Sequence, residues 1–491
     1  MNNVLLLQPS SMMQKLQNIK SRIPTLDAPL SLIYIAPYLL KEEFDVEILD
    51  LRISKLNTLK KYLRDKKPIV AGMSIMPGSA LPLAIGINSV IKRYSPKTKV
   101  VWGGSFPSLH YELCLNIPDV DFVVCGDGEV TFTELALALK HFSNLQDISN
   151  IKGLAFKYNE NVISTQPREP IDLDINHIGA WNLVDKYMSY YLGIHSYIAI
   201  NTSRGCPHKC SFCYNNSLYK GFKKFRTKSI TSVMEEVKYL VEKYSIKKIQ
   251  FLDDDFLGNK KRGLELVSSL KNEYPYMNYH IKARSDELKS ENIVKHLADT
   301  GLESVFIGAE SGSEDQLLKI EKGYETNDTI EAAKLCLKYN IRPMFSFTCG
   351  YPNESIRDLY ATVKMAKLLK NTNKKCHSFL EIISPVYGTP LYIELEKNNL
   401  LPELSPAKWC YLTDWKSAKQ KPWINNGNFY EAFQLAFYLA FARSSGYDGG
   451  LRIYTKILSK WSQFRLFDKN FKLLPEYRLA NYIIKKILWN L

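Results

Sequence analysis

Short apolar runs alternate with amphipathic stretches along most of this 491-residue chain. Over residues 1–145 the runs fall at Asn3–Gln8, Val46–Asp50, Ile69–Ser74, Lys99–Gly103 and Phe122–Cys125. Each is long enough for a strand buried on both faces. Between them, Leu30–Lys41, Ala80–Tyr94 and Val130–Phe142 carry apolar residues at helical spacing. Strand–helix alternation of this kind predicts an α/β fold with a parallel sheet covered on both faces, a doubly wound (Rossmann-like) domain over residues 1–148. Residues 149–194 break the rhythm and read as a linker: Leu154–Tyr158 and Val162–Thr165 suggest a hairpin, followed by Pro167, Pro170 and Trp181.

The alternation resumes at Tyr197. Six strand candidates follow, at Tyr197–Asn201, Lys248–Leu252, Tyr279–Lys282, Ser304–Ile307, Pro343–Thr348 and Ser378–Ile383. Helical patterns at Thr231–Tyr244, Lys260–Glu273, Ser290–Thr300, Asn327–Tyr339 and Ser355–Leu369 separate them. Six β/α units over residues 195–400 predict an incomplete (β/α)6 barrel. Residues 401–491 read as a mainly helical C-terminal extension, with Trp409, Trp415 and Trp423 in an aromatic stretch near its start.

Open parallel sheets and barrels bind ligands beyond the carboxyl ends of their strands. Small residues gather there in the first domain: Ser74-Ile-Met-Pro-Gly78, Gly103-Gly-Ser-Phe-Pro107 and Gly126-Asp-Gly-Glu129. Glycines let a backbone approach a bulky ligand closely. Glu129 at a helix start is also a favourable partner for the helix dipole. In the barrel the corresponding positions are polar: Asp253-Asp-Asp255, Ala283-Arg-Ser-Asp286 and Gly308-Ala-Glu-Ser-Gly312. Cys349, at a fifth strand end, reads as a core thiol.

The densest chemistry follows the first barrel strand, in Cys206-Pro-His-Lys-Cys210-Ser-Phe-Cys213. Three thiolates in one tight loop suit three irons of a cubane cluster and leave the fourth iron open to a ligand. A zinc site using His208 with the three cysteines is the competing arrangement, and His208 inside the loop is strained for it. Three unligated core thiols within eight residues, beside Gly205 and Pro207, fit the pattern poorly. The spacing resembles that of radical S-adenosylmethionine enzymes. The resemblance implies a 4Fe-4S cluster on Cys206, Cys210 and Cys213, whose open iron is chelated by S-adenosylmethionine. It also implies cofactor contacts from Asp254, Arg284, Glu310 and Ser311.

The first domain extends the resemblance. Gly103-Gly-Ser-Phe-Pro-Ser108, Asp119–Val124, Gly126-Asp-Gly-Glu129 and Pro29–Tyr38 are similar to the cobalamin-binding (B12-binding) domain of cobalamin-dependent radical S-adenosylmethionine enzymes. The similarity runs from residue 1 to about residue 430. It implies cobalamin contacts from Ser74, Gly103, Gly104, Pro107, Gly126, Gly128 and Glu129. One departure stands out: the Asp-x-His-x-x-Gly motif of methionine-synthase-type cobalamin domains is absent. Cobalamin here would bind without a histidine ligand, its cobalt open or faced by a nonpolar side chain. The alternative is a domain kept as a scaffold.

Composition narrows the partners. Hydrophobic residues make up 45% and charged residues 23% of the chain, ordinary for a globular protein. The formal charge of +15 favours acidic partners. Residues 451–491 hold nine Lys and Arg against Asp468 and Glu476, a solvated helix face or a tail for an anionic surface. Nine cysteines without regular pairing argue against a disulfide scaffold, and the N-terminal apolar run is too short for a signal peptide. A cytoplasmic, oxygen-sensitive enzyme is the expectation.

By resemblance, that enzyme is a C-methyltransferase acting on an unactivated carbon of a small-molecule or peptide substrate, with an external electron donor such as flavodoxin or ferredoxin. A radical cyclase, oxidase or rearrangement enzyme would use the same cofactors. A methylthiotransferase acting on tRNA or protein needs a second cluster, and the first domain has only Cys114 and Cys125 to offer it. A nucleic-acid partner is disfavoured on the same ground. A non-catalytic cobalamin-binding protein would have no use for the cysteine triad.

Overall fold

A computed structural model describes residues 2–10, 26–76, 80–141, 145–193, 197–402, 418–419 and 421–441, together with Trp409, Ser462 and Leu466. Trp415, the basic tail apart from Ser462 and Leu466, and the end of the Ser74–Gly78 loop lie outside the described residues. The chain forms two compact units. The first takes Met1–Tyr279, Pro385–Ile393 and Glu403–Asp414; the second takes His280–Ser384, Glu394–Pro402 and Trp415–Leu491.

The first unit opens with a seven-stranded sheet. Its strands are β1 (Asn3–Gln8), β2 (Asp45–Asp50), β3 (Val70–Ser74), β4 (Lys99–Gly103), β5 (Phe122–Val124), β6 (Leu154–Tyr158) and β7 (Asn161–Ser164). They lie in the order β2-β1-β3-β4-β5-β6-β7. β1 to β5 are parallel, and β6 and β7 add the hairpin antiparallel to that edge. β1 carries Val4, Leu5, Leu6 and Leu7 with no polar residue between them. All four are buried, as a strand paired on both sides and covered on both faces requires. The strand order reverses between β1 and β3, which opens a crevice at their carboxyl ends.

The same unit then carries β8 (Tyr197–Ile200) and β11 (Lys248–Phe251), parallel to each other, with a short antiparallel pair between them in sequence, β9 (Ser203–Arg204) and β10 (Arg226–Thr227). β12 (Asn278–Ala283) carries the chain from the first unit into the second. The second unit continues with β13 (Leu302–Glu310), β14 (Arg342–Cys349) and β15 (His377–Ile382), paired in parallel. Helices separate the strands, so the α/β alternation read from the sequence is the one observed. Helix starts follow local chemistry. Ser229 and Ser355 each accept a backbone N–H with the side chain, and Ser355 pairs with Asp358 in a capping box.

Strand ends differ from the sequence expectation by a residue or two, except at β13. Its pattern predicts four residues and it has nine. The ladder with β14 shifts register between Gly308 and Glu310, so the pairing resumes beyond an irregularity that hydrophobic alternation does not show. No helix among the described residues is long and apolar enough to cross a membrane.

Candidate functional site

The cysteine loop leaves β8 and returns to the fold through β10. Arg204 in β9 pairs with Arg226 in β10, so the loop is closed at its base by a two-residue ladder. Gly205 makes that closure possible. Its φ is +78°, and a Cβ there would sit 1.7 Å from the Lys224 carbonyl oxygen. Inside the loop the Cys213 amide donates to the Cys210 carbonyl over 3.1 Å. Asn216 donates to that carbonyl as well, and Lys224 ties the His208 carbonyl to the Asn216 side chain. Burial pushes the Cys206 thiol up to about 12, with Asp255, Cys213 and Cys210 adding to the rise.

Three consecutive aspartates after β11 attend this loop, each differently. Asp253 is 1% exposed and accepts from Thr202 N (2.6 Å), Thr202 Oγ1 (2.5 Å) and Ser203 N (2.9 Å), which fixes the chain entering the loop. Burial raises its pKa, while those donors work the other way. Asp254 accepts from Tyr214 (3.0 Å) and from Asn215 (3.1 Å), just past Cys213. Asp255 lies 3.1 Å from His208 Nε2 and 3.8 Å from the Cys206 sulfur. Asp253 and Asp255 are buried, and Asp254 between them is exposed. The ligand atoms of Cys206, His208 and Asp255 lie within 4.8 Å of one another, a cation-capable trio where the loop meets the segment after β11. Three thiols in one loop are the donor set of an iron–sulfur cluster. The Leu391 amide donates to Ser211 O (3.2 Å), bringing the segment after β15 to the same loop.

A second feature of the first unit is a cleft of about 920 Å³, including its open mouth. It lies at the carboxyl ends of β1, β3, β4 and β5, with Leu6, Ser74, Gly103 and Val124 among its lining. Six of the seven residues expected to contact cobalamin line it: Ser74, Gly103, Gly104, Gly126, Gly128 and Glu129. Pro107 does not. It sits in the short helix Ser105–Leu109 and is buried in the domain. Among the described residues no histidine lines the cleft, and Leu32, Met73, Phe132 and Leu218 supply nonpolar surface.

Sequence reading missed what the other wall is made of. Asn201, Arg204, Leu218 and Tyr219, which bracket the cysteine loop, also line the cleft. Arg204 donates to Asp127 Oδ1 (3.1 Å) and to Glu129 Oε1. Arg226 donates to Asp127 Oδ2 (2.8 Å), and Tyr219 reaches Asp127 Oδ1 (3.3 Å). Burial opposes the charge on Asp127, yet Arg204 and Arg226 hold its pKa below the usual carboxylate value. Two buried oxygens on cleft-lining residues have no hydrogen-bond partner: Glu129 Oε2 and Asn201 Oδ1. Buried acceptors left bare in this way suit a ligand rimmed with amide N–H groups. The sequence signal was available in Arg204, two positions before Cys206, and in the acidic Gly126-Asp-Gly-Glu129 turn, but nothing in spacing joins them.

The second unit holds the other expected contacts. Arg284 donates to Asp286 (3.0 Å) and to the Lys322 carbonyl (2.5 Å), with its guanidinium over the Tyr324 ring. Glu310 accepts from Lys322 Nζ (2.8 Å) and from Thr348 (2.9 Å). Arg284 and Glu310 thus belong to one network that passes through Lys322. Ser311 is buried beside Thr362 (3.3 Å). Glu310 has a φ of +59°, a left-handed backbone that a side chain rarely adopts. Cys349 is 1% exposed, and burial pushes its thiol well above the ordinary value, as befits a core residue.

Comparison with known proteins follows the same division. Residues 22–136 match the B12 binding domain family and residues 200–366 match the Radical SAM superfamily. A protein of Pyrococcus horikoshii named as an uncharacterized methyltransferase is 33% identical over 78% of this chain and 82% of its own. The anaerobic magnesium-protoporphyrin IX monomethyl ester cyclase of Synechocystis is 28% identical over 82% of this chain and 80% of its own. Among solved structures, the radical S-adenosylmethionine methyltransferase TsrM from Kitasatospora setae, with cobalamin and a [4Fe-4S] cluster bound, superposes with a TM-score of 0.68. It is 18% identical, over 95% of this chain and 98% of that one.

Proposed function

The chain belongs to the cobalamin-dependent radical S-adenosylmethionine enzymes, and from that membership we propose that it methylates an unactivated carbon of a small-molecule or peptide substrate. Its cofactors are a 4Fe-4S cluster, S-adenosylmethionine and cobalamin. Together they supply a carbon-centred radical for hydrogen abstraction and a methyl group for transfer.

The observation that carries the reading is the shared wall. One cleft is lined by the glycine turns of the parallel sheet and by residues on both sides of the cysteine loop. Methyl transfer to a substrate radical needs its two reactive centres near one carbon, and effective molarity rewards that arrangement. Cys206, Cys210 and Cys213 would hold the cluster. Ser74, Gly103, Gly104, Gly126, Gly128 and Glu129 would hold cobalamin, in a cleft whose lining, among the described residues, includes no histidine.

Asp254, Arg284, Glu310 and Ser311 are the proposed contacts of S-adenosylmethionine. Asp254 supplies an acceptor beside the cysteine loop. Arg284 offers the guanidinium fork that matches a carboxylate. The strained backbone of Glu310 supports its assignment, since such residues collect at ligand sites. An external flavodoxin or ferredoxin as electron source and a cytoplasmic location complete the reading.

The test is product analysis with methyl-labelled S-adenosylmethionine and the anaerobically reconstituted protein. Label on carbon in the product supports methylation. Deoxyadenosine without labelled product turns the assignment to cyclisation or oxidation, the reading favoured by the Synechocystis cyclase relative.

A further inference from the structure

Glu129 uses its two oxygens differently. Oε1 accepts from Arg204, while Oε2 is buried, faces no donor and belongs to a residue lining the cobalamin cleft. Asp127, two residues earlier, is saturated: Oδ1 takes Arg204 and Tyr219, and Oδ2 takes Arg226 and the Ile171 amide. Both arginines sit in the β9–β10 ladder that closes the cysteine loop. Gly205, between Arg204 and Cys206, lies against the Lys224 carbonyl, where a Cβ would sit only 1.7 Å from the oxygen. Glu129 is thus joined through Arg204 to a point two residues before the first cysteine of the loop.

We propose that Glu129 and Asp127 form a carboxylate bridge through which cobalamin binding sets the position of the cluster loop, with Arg204 as the positioning residue that carries it. The proposal rests on the cofactor assignment above and adds a coupling between the two sites. Asp127 is the fixed anchor of the loop. Glu129 is the responsive arm: its bare oxygen accepts a corrin side-chain amide while its other oxygen holds the guanidinium. Arg suits the role because its planar fork engages both carboxylates at once. Occupied, the cleft gives Glu129 its missing donor and fixes Arg204. Empty, it leaves Glu129 Oε2 a buried acceptor without a donor, while Oε1 still holds Arg204 beside Asp127.

The test uses the full-length, anaerobically reconstituted protein and methylcobalamin, whose cobalt is diamagnetic. Three quantities are read: iron and sulfide per chain, the methylcobalamin dissociation constant by absorbance, and the electron paramagnetic resonance of the reduced cluster with and without methylcobalamin. In the wild type, saturation with methylcobalamin shifts the cluster's g values. Glu129→Gln keeps wild-type iron and binds methylcobalamin roughly 10- to 100-fold more weakly, the loss of one charge-assisted hydrogen bond. Arg204→Lys keeps its iron but loses the shift at saturating methylcobalamin, because an ammonium cannot span both carboxylates. If Arg204→Lys holds no iron, the Glu129→Gln arm decides.

An unchanged cluster spectrum in the saturated wild type overturns the bridge. So does a wild-type shift in Arg204→Lys, or wild-type affinity in Glu129→Gln. A wild type that takes up no methylcobalamin overturns the bridge and the cofactor assignment together. A wild type that shows the shift yet makes no methylated product leaves the bridge standing and overturns the reaction proposed above.

Discussion

Tyr34 donates its hydroxyl to Glu236 across 3.0 Å, joining residues 202 positions apart in the chain. Glu236 is fully buried and also takes Trp181 Nε1 (2.9 Å), Lys228 Nζ (2.8 Å) and the Gly179 amide (3.4 Å). One carboxylate thus ties the first helix of the cobalamin domain, the linker tryptophan and the start of the barrel. Four donors converge on it, which makes the group a fold-holding centre.

The first prediction follows. Glu236→Ala strands the Lys228 ammonium in a buried site and removes the acceptor of Tyr34 and Trp181. Breaking a buried pair by removing one partner costs about 3–5 kcal/mol. Urea unfolding of the cluster-free protein should show that loss, with iron content after reconstitution the secondary readout. A loss below about 1 kcal/mol would place the pair among weak surface bridges instead.

A cavity residue gives the second. Gly103 ends β4, and a Cβ there meets no atom closer than 3.8 Å, at Val124. A Cβ therefore fits at this position, and because Gly103 lines the cobalamin cleft a larger side chain there competes for its space. Gly103→Leu should therefore fold and bind iron as the wild type does while cobalamin uptake falls at least tenfold. Gel filtration with absorbance at the corrin bands measures it. Undiminished uptake would move the cobalamin site elsewhere.

Third, Glu354 is a carboxyl group with a raised pKa. Burial pushes it up to about 8, against the Gly350 amide, which donates to it over 2.6 Å. The folded chain then binds a proton that the unfolded chain has already lost above the ordinary value of 4.5. Stability contributed by this group is present at low pH and declines as pH rises from about 4.5, levelling off above about 8. One proton sets a limiting slope of about 1.4 kcal/mol per pH unit. Glu354→Gln keeps an acceptor for Gly350 and removes that slope. Unfolding free energies of both proteins at pH 6, 7 and 8 should converge at the acid end and diverge toward pH 8, with the variant the more stable there.

Legibility in the sequence tracks how local the signal is. β1 and the helix Leu30–Lys41 stand where their apolar spacing puts them, since each is specified by its own residues. The cysteine loop is equally local. β9 and β10 are two residues each and have no periodicity to read. The Arg204–Asp127 and Arg204–Glu129 pairs span more than 70 positions, and a charge pair at that distance leaves no trace in spacing. Asp253, Asp254 and Asp255 illustrate the limit well. Three identical residues in a row gave one reading between them, and the fold gives each a different partner.

Glu310 carries the last prediction, which concerns S-adenosylmethionine. Its left-handed φ of +59° falls where β13 loses register with β14, and its carboxylate is held by Lys322 and Thr348. A strained residue persists only where its surroundings over-determine it. Glu310→Gly relieves the backbone and deletes the carboxylate, whereas Glu310→Gln keeps the side-chain length and removes the charge. If the residue served packing alone, glycine would leave cofactor affinity unchanged. As a cofactor contact, both variants should bind S-adenosylmethionine about tenfold more weakly, the loss of a charge-assisted hydrogen bond, with iron and sulfide content at the wild-type level. Equilibrium dialysis of labelled S-adenosylmethionine against the reconstituted variants reads the affinity directly. Unchanged binding in Glu310→Gln would return this carboxylate to a purely structural pairing with Lys322.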